Sequence, residues 1–138
     1  MATTAPAGSP ADIGTLRTQY LSAIGTFNQT VTPFQQVVDS MADQPNADAL
    51  RRAAQAVLPG LRADTANIAA IGWPQSIRFD VNTFVTAEAT VESLLQSTPA
   101  DNSGLRTWIQ RWGLAKGQVD NADLAIRRDV GITIPSNS

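Results

Sequence analysis

The sequence contains no cysteine and no histidine. The first absence removes disulfides and thiol chemistry. The second removes imidazole bases, zinc-finger ligation and histidine-held haem. Lysine is almost missing too: of ten basic residues, Lys116 is the only one that is not arginine. Glutamate occurs only as Glu88 and Glu92. The Glu and Glu-x-x-His sets of di-iron bundles therefore cannot be assembled. Calcium loops need Asp or Asn alternating across a glycine turn, and the nearest cluster, Asp120, Asn121 and Asp123, falls on a predicted helix instead. No metal and no cofactor are expected. No apolar run reaches the roughly 18 residues of a membrane span, and none resembles a signal-peptide core. A net charge of −2 gives no pull toward nucleic acid or anionic membrane.

What is present is helical periodicity. The 138 residues, 43% of them hydrophobic, suffice for one domain with a real core. Residues 1–11 are small, polar and proline-containing and read as an N-terminal tail or tether. Residues 12–131 read as a helical bundle, and 132–138 as a C-terminal tail that Pro135 keeps from continuing the last helix. Asp12 suits the cap of the first helix. Ile13, Tyr20, Phe27, Phe34 and Met41 then recur every seven residues, with Ile24, Val31 and Val38 as a second row. Asn46 can cap a second helix with Leu50, Ala54, Val57, Leu61 and Ile68 on one face. Pro33 and the Pro59-Gly60 pair interrupt these two helices and predict kinks, or two in-line halves at Pro59.

The Gly72-Trp73-Pro74 turn organises the middle of the chain. Gly72 fits a helix C-terminal cap, Trp73 a plug over the bundle end, and Pro74 the first position of the third helix. That helix carries Ile77, Phe84, Val91, Val81 and Leu95, with Glu88 between them in the same rows. After the Thr98-Pro99 breaker, Asp101 or Ser103 can cap a fourth helix. Its rows are Leu105, Trp112, Val119 and Ile126, with Trp108, Ala115 and Ala122 beside them. Gly131 is the expected C-terminal cap, and Arg127 and Arg128 sit where the helix dipole favours cations. The prediction is an all-α fold: an up-down-up-down, left-handed four-helix bundle with proline kinks in helices 1 and 2.

Several short elements carry a resemblance. They are Tyr20-Leu21 with Phe27-Asn28, Ile71-Gly72-Trp73-Pro74, Arg78-Phe79-Asp80-Val81, Asn121-Ala122, and an Arg128-Asp129-Val130-Gly131-Ile132 close before Pro135. In this order they resemble a group of small secreted or lipid-anchored helical proteins of actinobacteria with a Trp-Pro…Arg-x-Asp element. The terminal Gly131-Ile132-Thr133-Ile134-Pro135 departs from the group's usual Gly-Leu-Pro ending. The resemblance implies export, a helical fold, and a possible lipid anchor upstream of this segment. It implies no activity and no functional residues.

Folding the chain about turns near residues 44, 73 and 99 places Pro33, Pro59, Glu88, Arg111 and Trp112 at one level. The two prolines also release the carbonyls of Gln29 and Gln55. Two readings stand: a Glu88–Arg111 pair beside two kinks, or a polar pocket for a small ligand lined by Glu88, Arg111, Trp112, Gln29 and Gln55. Trp108 and Trp112, one turn apart, fit core plugs or a ligand platform. Serine and threonine are plentiful, but no usual base activates them. A pericyclic mutase needs only Arg, Lys, Glu and Gln, yet Arg17 stands alone on the first helix where such enzymes cluster arginines. The expectation is a non-enzymatic, extracytoplasmic bundle that binds a protein or small-molecule partner at the cell surface. A small-ligand or sensing bundle, or a small all-α enzyme, are the alternatives.

Overall fold

The carboxylate of Asp12 accepts the Thr15 N–H at 3.1 Å and starts the first helix, α1, Ile13–Ser40. This computed structural model describes residues 12–132. The predicted tail at 1–11, and all of the predicted tail at 132–138 except Ile132, lie outside the described residues. Asn46 caps α2, Ala47–Ala69, through the Ala49 N–H at 2.9 Å. Helix α3 spans Gln75–Gln96. Asp101 caps a single 3₁₀ turn, Asn102–Gly104, which runs directly into α4, Leu105–Asp129.

The result is an all-α four-helix bundle with short connections. Close backbone approach joins α1 to α2, α2 to α3 and α3 to α4. Across the remaining seam, α1 and α4 are tied by side chains: Arg17 Nε donates to the Val130 carbonyl at 3.0 Å, and the Tyr20 hydroxyl to Asp123 at 2.5 Å. Among the described residues, no helix is long and apolar enough to cross a membrane.

The heptad row of α1 forms an aromatic spine. Tyr20 meets Trp73 edge-on at 5.8 Å, Phe27 meets Phe84 at 5.5 Å, and Phe34 meets Trp112 at 4.9 Å. Trp108 and Trp112 are buried and stacked on each other, so the core-plug reading of the pair holds. Each indole N–H finds an acceptor: Trp73 the Ile68 carbonyl, Trp108 the Leu94 carbonyl, Trp112 the Gln35 side chain. Only Ile13 leaves its predicted row, at 41% exposed. As the first residue of α1 it has no preceding turn of helix to help cover it.

Two expectations, at Pro74 and Gly72, need correction, and one alternative falls: α2 is not two in-line halves, since α1 and α2 each run unbroken through Pro33 and Pro59. Both lie on exposed faces, and buried residues on either side keep the two helices anchored through the lost hydrogen bond. Pro74 is the N-cap, with ψ 160°, one position before the helix proper. Gly72 does not adopt the left-handed conformation of a C-cap; among the described residues only Gly131 does, at φ 79°. The α2 end is finished instead by Trp73, whose indole N–H reaches back to the Ile68 carbonyl.

Gly131 performs the predicted role. Its N–H bonds the Arg128 carbonyl at 3.1 Å, while the Ile132 N–H bonds the Arg127 carbonyl at 2.8 Å. These two bonds are a Schellman close, and Ile132 packs on the core beside it.

Candidate functional site

The predicted mid-bundle level separates into one buried acid and residues that turn away from it. Glu88 is 0% exposed, and neither carboxylate oxygen has a hydrogen-bond partner. Burial above all, then repulsion from Glu92 and Asp64, pushes it up to about 8 against the opposing pull of Lys116. Glu88 is therefore a neutral acid at pH 7. Lys116 makes its ion pair with Asp120, at 3.1 Å.

Arg111 does not join Glu88; it is exposed, so the predicted pair is not formed. Consecutive helical residues diverge by about 100°, and Trp112 takes the inward direction. Gln29 and Gln55 are likewise exposed, each four residues before its proline on the same outer face. The five residues therefore do not enclose a polar pocket. The polar partner of Trp112 is Gln35, on neither predicted list. Among the described residues no group of three His, Cys, Asp or Glu converges to hold a metal.

A different surface stands out between α3 and α4. Phe79 is 76% exposed and Leu114 73% exposed. A groove of about 570 Å³ runs between the helices, with Ala87, Ala122 and Ala125 on its floor. Phe79 lines one end. Leu114 continues the α4 row one turn past Gln118, which lines the other. The rims carry Thr83, Thr86, Asn82 and Asn121, all uncharged. Thr83 turns its hydroxyl back onto the Phe79 carbonyl at 3.0 Å, leaving its methyl group for the groove.

Charge is confined to one end of this groove, where Asp80 faces Asp129. Burial first, then the hydrogen bond to Asp80, pushes Asp129 up to about 6, with Arg128 opposing. On the α1 side, Arg127 holds both oxygens of Asp123 at 2.9 and 3.0 Å, and Asp123 accepts from Tyr20. Burial, and then that bond, raise the Tyr20 phenol above its ordinary value. This triad locks α1 to α4.

Phe79 and Leu114 were missed as a surface because both fall outside the core rows. Periodicity marks such residues as outward-facing but does not say that two of them flank one groove. Compared with known protein families, curated proteins and solved structures, the chain matches none.

Proposed function

We propose that this bundle works by binding rather than catalysis, and that its α3/α4 face receives one amphipathic helix of a partner protein. The observation that carries the reading is the exposed Phe79 side chain on a groove floored by alanine and charged only at its Asp80 end, with exposed Leu114 one helical turn beyond Gln118 at the other. Exposed apolar surface of this kind marks interaction sites. Small floor residues admit the apolar anchors of a docked helix, read at i, i+3, i+4 and i+7. An uncharged rim suits a partner face that is itself free of charge, since an unpaired charge buried there would be penalised. The extracytoplasmic setting rests on the resemblance of the Trp73-Pro74 and Arg78-Phe79-Asp80 elements to exported or lipid-anchored helical proteins.

The test places a photo-crosslinking amino acid at Thr83 of the chain expressed in its cell of origin. The expected result is an adduct mapped to an apolar-faced helix of another protein, and lost with Phe79→Ser. Phe79 is exposed, so that variant keeps its fold. An adduct only with a second copy of the chain, or no adduct, overturns the reading. Cell fractionation reads the location: recovery in the cytoplasmic fraction defeats the exported setting.

A further inference from the structure

A second site lies on the opposite side of the bundle, between α1 and α2. Helix α2 presents Leu61, Asp64 and Ile68 to the interior at 3-4 spacing, and all three are buried. Asp64 is thus an acid in a core position, only 7% exposed. Its Oδ2 is enclosed and has no hydrogen-bond partner. Among the described residues no Arg or Lys pairs with it: Arg62, two positions before it, is turned to Glu92 at 3.5 Å. A buried carboxylate without a counter-charge is strongly disfavoured, and it is relieved either by a proton or by a cationic partner.

Asp64 lines a groove of about 470 Å³ whose other walls include Thr18, Gln19, Ser22, Thr26 and Asn67. The two threonines have committed their hydroxyl protons to backbone: Thr18 to the Gly14 carbonyl at 3.1 Å, Thr26 to the Ser22 carbonyl at 3.2 Å. Each hydroxyl oxygen keeps a lone pair able to accept, and none of the residues lining the groove is a cation. Ala23 and Ile71 add apolar surface beside them.

We propose that this groove binds a small organic cation through a primary ammonium group seated on Asp64. An ammonium carries three N–H donors and no acceptor, which matches a carboxylate flanked by hydroxyl oxygens. Its positive charge neutralises the acid that the protein leaves unpaired. Its methylene stem lies on Ala23 and Ile71, in the way that lysine stems cover apolar surface. The groove is independent of the α3/α4 face, and either site stands if the other fails.

The probes are n-butylammonium and 1,4-diaminobutane, titrated calorimetrically, with n-butanol as the uncharged control of similar shape. Both amines are expected to bind at millimolar concentration or below, with amide NMR shifts confined to residues 18–26 and 64–71; the alcohol is not. Asp64→Asn keeps the shape and removes the charge, and is expected to weaken binding by about tenfold or more. That variant also relieves an unpaired buried charge, so it is expected to fold at least as stably as the parent, which separates loss of binding from loss of structure. Thr26→Val, which removes one acceptor, is expected to weaken binding by about threefold. Absence of binding by both amines, equal binding of the alcohol, or undiminished binding to Asp64→Asn overturns the proposal.

Discussion

Trp112 donates its indole N–H to the Gln35 side-chain oxygen at 2.8 Å, joining the last helix to the first across the seam where the backbones approach least. Removing that acceptor leaves an indole N–H in a part-buried setting with no replacement. Gln35→Leu is therefore expected to destabilise the fold by about 1–3 kcal/mol, the range for a stranded polar group. Urea unfolding measures it, and a change below about 0.5 kcal/mol, typical of a neutral surface substitution, would mean that water replaces the glutamine.

The pH dependence of stability isolates Glu88. Its carboxyl titrates near 4.5 in the unfolded chain and is pushed up to about 8 in the fold. Below pH 4.5 both states hold the proton, and the group contributes no pH dependence. Between 4.5 and 8 only the folded state holds it, so unfolding releases a proton and stability falls as pH rises. The slope is about −1.4 kcal/mol per pH unit for one proton. Asp129 acts in the same direction between 3.8 and about 6. Glu88→Gln is expected to flatten the curve between pH 6 and 8 and to be the more stable protein at pH 8. Parallel wild-type and variant curves over that window would sink the assignment.

Trp73 closes the bundle end against Tyr20 and uses its N–H to finish α2. Trp73→Ala is expected to cost about 3–5 kcal/mol, as for other buried large aromatics. Trp73→Phe retains most of the packing and removes only the indole bond, since the Ile68 carbonyl keeps the Ile71 N–H at 3.3 Å; it is expected to lose roughly 0.5–1.5 kcal/mol. Thermal melts of the pair separate volume from hydrogen bonding.

Gly131 is held at φ 79°, and a Cβ there would stand 3.1 Å from the Arg17 guanidinium. Gly131→Ala thus meets both backbone strain and a neighbour already engaged with the Val130 carbonyl. A loss of about 1–2 kcal/mol is expected. An unchanged melting temperature would show that the C-terminal close relaxes at little expense.

The helices and most of the core were legible because they depend on local rules. Asp12 and Asn46 cap the helices expected of them, whereas Asp101 caps only the 3₁₀ turn ahead of α4, whose own N-cap is Gly104; Tyr20, Phe27 and Phe34 repeat at a spacing that only a helix serves. Glu88 was legible for the same reason, as a polar residue in a core row. Asp64 obeys the identical rule, three residues after Leu61 and four before Ile68, but a row read only for its apolar members passes over it. The partners of Glu88 were not legible. Arg111 was matched to it by level along the bundle, and level says nothing of rotation: one residue along the helix is a turn of about 100°, which delivered Trp112 to the interior in its place. Gln35 and Asp123 reach their partners across 77 and 103 residues, and no local pattern announces such pairs.

The side-chain seam between α1 and α4 also bears on the order of assembly. Helix pairs α1/α2 and α3/α4 are hairpins closed by short connections, with little chain entropy lost in forming them. The Arg17, Tyr20 and Gln35 bonds join residues 77 to 113 apart and carry the largest loop-closure penalty in the fold. Two hairpins that form early and a seam that zips last make a molecule whose unfolding begins at that seam. In stopped-flow kinetics, Gln35→Leu is then expected to speed unfolding and leave the refolding rate almost untouched.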